Sequence, residues 1–295
     1  MYGLPEIIKP VSEFHENEPE QGLERIYRYY NKHSHHETTD KQEVNVLNSI
    51  GWGYMLFLDG VLQSTSQDEI IYHNALVHPL LDGLTDRSKI LILGGGEGAT
   101  AREVLRWQSV ESVTMIDYDK QLVDIMRKYN GVWAKGAFYS KRLTCHYGDA
   151  WEFMLSSGIY NGVIIDLTDP NLNKEKWSIL LESVMNSITP LKGGFVMNAG
   201  PYVPWKTYEL KEIKDMVETI CTDYPDYKYY IYTTIVPSFG GEWAFIAVLH
   251  KSKFMTEPEY LDIIPEWIRR GTRALPNRLI DSHAITIGLT DPINK

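Results

Sequence analysis

The hydrophobic positions change rhythm along the chain. Between residues 19 and 32, Leu23, Ile26, Tyr27 and Tyr30 recur at helical spacing, which predicts a helix behind a proline- and glutamate-bearing arm over 1–18. Residues 43–66 read as short β runs. Tyr54-Met55-Leu56-Phe57-Leu58 and Val61-Leu62-Gln63-Ser64 flank Asp59-Gly60. That dipeptide predicts a hairpin, because both turn residues must tolerate positive φ. Ile70, Ile71, Leu76, Val77 and Leu80 predict a helix over 68–82.

From residue 89 strands and helices alternate. Ile90–Leu93 is a buried-strand run, Gly94–Gly98 a turn and Ala99–Trp107 a helix. Further strands are predicted over 113–116, 143–147, 163–165 and 195–198, with helices over 119–129, after Asp149, over 177–188 and over 205–221. Strands 228–235 and 243–249 close the series as an antiparallel edge. This alternation predicts an α/β fold with a mainly parallel sheet covered on both faces. Asp82-Gly83 and Thr85-Asp86 break the pattern, so the expected division is an N-terminal arm and small β-hairpin domain over 1–84 and a catalytic domain over 85–295. No internal repeat is visible.

The 295 residues are 43% apolar and 23% charged, which excludes a mostly disordered chain. Acids outnumber bases 39 to 29, giving a net charge of −10. That opposes nucleic-acid binding, which needs a basic footprint, and is compatible with a cationic ligand. Cys145 and Cys221 are the only cysteines, no apolar run has membrane-spanning length, and a cytoplasmic chain is the expectation. His33-Ser34-His35-His36-Glu37 is expected to be an exposed polar loop rather than a metal site.

Ligands of open α/β sheets bind beyond the carboxyl ends of the strands. Those ends carry Gly94–Gly98, Asp117, Gly148-Asp149 and Asp166–Pro170. Gly94, Gly96 and Ala99 fit a G-x-G-x-x-A dinucleotide fingerprint, and Asp117 lies at a ribose-binding distance beyond it. Glu97 opposes that reading, since a carboxylate inside the loop would face a pyrophosphate. A nucleoside carrying a sulfonium and no phosphate fits better, with the backbone of Gly94, Gly95 and Gly96 approaching it closely. Asp117 and Asp149 serve either as ribose and adenine acceptors or as helix caps, although Asp119 is better placed to cap. Asp166 and Asp169 flank Leu167-Thr168 just before Pro170; such a pair can bind an amine and take its proton. The polar stretch Asn171–Lys176 after it is a candidate lid. Tyr72, His73, Phe239 and Trp243 are candidate walls for a cation, or core.

Together these motifs resemble the polyamine aminopropyltransferases, the spermidine, spermine and thermospermine synthases, from about Gln42 to His250. Leu58–Gln63 is similar to their L-D-G-x-x-Q hairpin, and Asp68–His73 with Leu76–Pro79 to D-E-x-x-Y-H/Q-E-x-L-V-H-P. Gly94–Gly98 with Arg102-Glu103 is similar to G-G-G-D/E-G…R-E, and Asp166–Pro170 to D-x-x-D-P. Glu97, the form of 166–170, Ala199-Gly200-Pro201 and Val236-Pro237-Ser238 with Trp243 are similar to the thermospermine branch.

The resemblance implies a Rossmann-like, class I methyltransferase-type sheet with a small N-terminal antiparallel β domain, in a homodimer or homotetramer. It implies that Gln42, His73, the three glycines, Glu97, Asp117, Asp149 with Ala150, and Asp166 contact decarboxylated S-adenosylmethionine. Tyr72, Asp166, Asp169 and Trp243, with Phe239, would line the site of a small cationic amine. Asp166 would orient and deprotonate the attacking nitrogen. No metal is implied, because a sulfonium is already a good leaving group. The chain departs from the pattern at Asn74, where Glu is usual, and at Phe239, where many members carry Tyr. The stretch after Pro170 lacks the usual glycines, and the tail from about 251 does not align. Rival expectations are methyl or 3-amino-3-carboxypropyl transfer from S-adenosylmethionine, and a catalytically silent nucleoside-binding protein.

Overall fold

The computed structural model describes residues 12–18, 22–168, 173–253 and 273–274, and arranges their strands in two sheets. The first sheet is antiparallel. It contains β1 (Ser12–Glu18), β2 (Leu23–Tyr29), β3 (His35–Thr38), β4 (Glu43–Ser49), β5 (Gly53–Leu58) and β6 (Val61–Thr65). The order is β1-β2-β4-β5-β6, with β3 also paired to β4. Asp59 and Gly60 turn the β5–β6 hairpin with φ of 48° and 82°, as the dipeptide predicts.

The helix expected over 19–32 is instead strand β2, and part of the expected arm is β1. The buried positions alternate: Tyr27 and Tyr29 face in, while Ile26 and Arg28 face out. Tyr27 and Tyr29 join Leu47, Met55, Phe57 and Leu62 in one apolar cluster. Pairing from Ser12↔Tyr29 to Glu18↔Leu23 gives the backbone its partners. Such long-range burial overrides weak local spacing. Glu16 of β1 also faces in, and is accommodated because it accepts from Tyr27 Oη and from the Leu62 amide, each at 2.7 Å. The expected polar loop at 33–37 is a 3-10 turn over Asn31–His33 followed by β3, whose His36 and Glu37 remain exposed.

The second sheet follows α1 (Glu69–Gly83). It is built from β7 (Lys89–Gly94), α2 (Ala99–Leu105), β8 (Ser112–Asp117), α3 (Lys120–Lys128), β9 (Leu143–Tyr147), α4 (Ala150–Met154), β10 (Gly162–Asp166) and α5 (Lys174–Ser187). Next come β11 (Gly194–Tyr202), α6 (Tyr208–Asp223), β12 (Tyr227–Val236), β13 (Gly241–His250) and β14 (Arg273–Ala274). The order is β14-β12-β13-β11-β10-β7-β8-β9. The pairs from β11 to β9 are parallel, while β13 inserts antiparallel to both β11 and β12. Among the described residues, no helix is long and apolar enough to cross a membrane.

Two apolar layers cover this sheet, which explains its unbroken apolar strands. Ile90 and Ile92 of β7 pack in the layer with α1 and α2, whereas Leu91 and Leu93 face the layer of α5 and α6. In β13, Phe245, Ala247 and Leu249 take the first layer and Ala244, Ile246 and Val248 the second. The α1 layer also takes in Val44, Val46 and Leu56, so it joins the two sheets. Helix α5 starts earlier than its apolar spacing predicts. The Asn173 side chain accepts from the Lys176 amide at 3.1 Å, so Lys174–Lys176 belong to the helix rather than to a lid.

Candidate active site

Strands β7 and β10 are neighbours, and from them the sheet extends in opposite directions, to β8 and to β11. Such a switch point opens a crevice beyond the strands' carboxyl ends. Gly94 lies beside Asp166 there. Its φ is +86°, and a Cβ built on it would stand 2.0 Å from the Asp166 carbonyl oxygen. Only glycine lets the two strand ends come so close. At Gly96 a Cβ would lie 2.8 Å from Asp117 Oδ2, so this backbone and that carboxylate form adjoining walls.

Glu97, on the glycine loop, meets His73 of α1 and Asp166 of β10. One ligand-type atom from each of the three lies within 4.8 Å of the others. His73 Nε2 is 2.7 Å from Glu97 Oε1, and Nδ1 is 3.0 Å from Glu69 Oε2. Both ring nitrogens are therefore engaged. Burial alone would lower the His73 pKa, but the hydrogen bonds it donates to Glu69 and Glu97 outweigh it and push it up to about 10. The ring is an imidazolium bridging two carboxylates. Behind it, Arg102 donates to both Glu69 oxygens at 2.8 Å. Burial would raise Glu69, but His73 and Arg102 bring it below its ordinary range.

Asp166 is oriented by two hydroxyls: Thr100 Oγ1 at 2.5 Å from Oδ2 and Tyr72 Oη at 3.1 Å from Oδ1. Burial and then the Glu97 charge raise its pKa to about 6, against the lowering effect of His73 and the two hydroxyls. Asp117 is also raised to about 6, first by burial and further by Glu97, although it accepts from the Asp119 amide at 2.9 Å. Two carboxyls raised to about 6 in one crevice are groups whose ionised form a nearby positive charge would favour.

The remaining expected residues border this centre on two sides. Towards β8 and β9, Gln42 donates to Asp119 Oδ2 at 2.9 Å and receives Tyr118 Oη at 3.1 Å, which carries the first sheet to the end of β8. Asp119, not Asp117, caps α3 through the Leu122 amide. The exposed Asp149 caps α4 through the Trp151 amide at 2.7 Å, and Ala150 opens that helix as a buried residue. Towards β13, Tyr72, Phe239 and Trp243 form a half-buried aromatic wall, with Phe239 centred 4.6 Å from Trp243 and 6.0 Å from Tyr72. Asp169 and Pro170, with Asn171 and Leu172 at the start of the candidate lid, lie outside the described residues.

Sequence reasoning assigned no role to Thr100, Glu69, Arg102 or Asn198. Thr100 was findable as the first helical turn after the glycine loop. Arg102 and Glu69 stand inside recognised motifs, but their pairing spans 33 residues and has no local signal. Asn198 accepts from Trp243 Nε1 at 2.7 Å and so fixes the indole.

The sequence profile of the spermine/spermidine synthase domain matches residues 69–258. A polyamine aminopropyltransferase of Sulfolobus acidocaldarius is 38% identical over 215 residues, covering 71% of this chain and 69% of the relative. One from Synechococcus sp. (strain JA-3-3Ab) is 33% identical over 232 residues, 76% of this chain and 73% of its own. The fold is similar to that of spermidine synthase in complex with the transition-state analogue AdoDATO, with a TM-score of 0.76 and 20% identity over 92% of this chain and 95% of that one. Spermidine synthase from Thermotoga maritima gives a TM-score of 0.75 at 20% identity, over 92% and 94%.

Proposed function

The chain belongs to the spermine/spermidine synthase family, and on that premise we propose that it moves an aminopropyl group from decarboxylated S-adenosylmethionine to a diamine or polyamine, releasing methylthioadenosine. The observation that carries this reading is the convergence of Glu97, Asp117 and Asp166 at the ends of β7, β8 and β10, with two of them raised to about 6. Both substrates are cations and neither brings a phosphate. Each would restore the charge that the crevice lacks.

In this reading Asp117 accepts the ribose hydroxyls beside Gly96, and Gln42 and Asp149 border the nucleoside on the β8–β9 side. Glu97, fixed by the His73 imidazolium, faces the positive propylamine arm. Asp166 takes the amine. Thr100 and Tyr72 hold its two oxygens in place, so the carboxylate can accept a proton from the incoming ammonium. The neutral nitrogen then attacks the methylene beside the sulfonium. A carbon–nitrogen bond forms, the carbon–sulfur bond breaks, and its electron pair stays on sulfur. The new secondary ammonium leaves with the product, and the proton held on Asp166 passes to solvent before the next turnover. Phe239 and Trp243 cover the methylenes of the acceptor, and Asp169 would hold a nitrogen.

We further propose that the enzyme acts in the cytoplasm as a homodimer or homotetramer, as the resemblance implies; light scattering on the purified protein tests the assembly. Incubation with both donors and a mixture of amines tests the chemistry. Methylthioadenosine with an enlarged amine supports the proposal. S-adenosylhomocysteine would mean methyl transfer, methylthioadenosine from the carboxylated donor would mean aminocarboxypropyl transfer, and no product would mean a silent binder.

A further inference from the structure

Asp68 occupies the N-cap position of α1 yet makes no side-chain cap bond to its own helix. An aspartate there ordinarily accepts from the second or third helical amide. This one is buried and points elsewhere: Oδ2 accepts from the Ser238 amide at 2.7 Å, while Oδ1 accepts from Ser238 Oγ at 2.9 Å and Thr65 Oγ1 at 2.6 Å. Three bonds to one carboxylate thus link the end of β6, the start of α1 and the 3-10 turn Pro237–Phe239 between β12 and β13. The ties to Ser238 span 170 residues. Ser238 directly precedes Phe239, whose ring lies against Trp243 and Tyr72 and also packs on the apolar cluster of the first sheet.

We propose that Asp68 is a positioning residue for the amine acceptor: its carboxylate fixes the turn at Ser238 and so sets Phe239 as the wall along which the acceptor's methylenes lie. This rests on the aminopropyl-transfer reading. The donor side is held by other contacts, from Gln42 to Asp119 and from His73 and Glu69 of α1 to Glu97, none of which runs through Ser238 or Phe239, so the effect of Asp68 falls chiefly on the amine. A merely structural role would weaken both.

The test is steady-state methylthioadenosine release with amine and donor varied in turn. Asp68→Ala is expected to raise the amine KM about ten-fold while the donor KM stays within about two-fold. In a Phe239→Ala background the same change is expected to add less than about two-fold, because its effect passes through that ring. Ser238→Ala removes only the hydroxyl bond and is expected to move the amine KM the same way by about two- to three-fold. It serves as the deciding variant if Asp68→Ala fails to fold. Equal rises in both KM values, full additivity with Phe239→Ala, or an unchanged amine KM in Ser238→Ala would overturn the inference. Active wild-type protein with indifferent variants sinks the inference alone; wild-type protein that releases no methylthioadenosine sinks the transfer reading beneath it.

Discussion

In the proposed mechanism Asp166 acts as an anion, where burial and the neighbouring Glu97 resist an anion. The same holds at Asp117. Function and stability are therefore opposed at these residues. A carboxyl raised in the folded state binds more protons folded than unfolded between about pH 4 and 6, so its contribution to stability falls as pH rises through that window. Replacing Asp166 by Asn keeps the shape and removes the charge. Turnover is expected to fall by about 10²–10⁴ while donor affinity stays within about five-fold. Asp117→Asn is expected to stabilise the ligand-free protein by on the order of 1–2 kcal/mol at neutral pH, read as a higher melting temperature. An unchanged turnover in the first variant, or a lower melting temperature in the second, would contradict these assignments. The pH profile follows from the same two groups. The ratio kcat/KM should decline below about pH 6 as they take up protons, while His73, held near 10, stays charged across that range.

At the scale of elements, the glycine loop separates two costs that the sequence alone runs together. Gly94→Ala would set a Cβ against the Asp166 carbonyl at a left-handed φ, so it should unfold or strongly destabilise the chain, by about 3 kcal/mol or more in denaturant titration. Gly96→Ala meets only side chains, those of Asp117 and Leu122, and no backbone. It should stay folded yet lose donor affinity, measured by calorimetry. The loop itself was legible because strand run, triple glycine and helix follow one another within a few residues. The α/β alternation was legible for the same reason, since Ile90–Leu93 is apolar on both faces and each face has its own layer. Strand β2 was not. Its buried Tyr27 and Tyr29 alternate, but Leu23 and Ile26, both exposed, counterfeit a helical face. What settles it is pairing with β1 and β4, which no local pattern records. The start of α5 was missed because its first turn is Lys-Glu-Lys, which carries no apolar signal, and only the Asn173 cap marks it. The candidate site divides in the same way. Gly94, Asp117 and Asp166 stand at strand ends as the sequence predicts, whereas the Glu69–Arg102 support and the Asp68 clamp join distant segments and needed the fold.

Across the whole molecule, two sheets meet at one crevice. The turn between β3 and β4 of the first supplies Gln42, and its apolar cluster packs against Phe239; the second supplies the acids at its switch point. A chain of net charge −10 draws cations towards that opening, so kcat/KM for the amine should fall as ionic strength rises. The central claim is that the crevice is acidic because its guests are positive. Calorimetric titration of decarboxylated S-adenosylmethionine at pH 6, repeated in buffers of different ionisation enthalpy, tests it most directly. Binding should release protons, as the sulfonium and its ammonium drive Asp117 and Asp166 towards their ionised forms; binding with proton uptake, or with no proton change, would contradict the account.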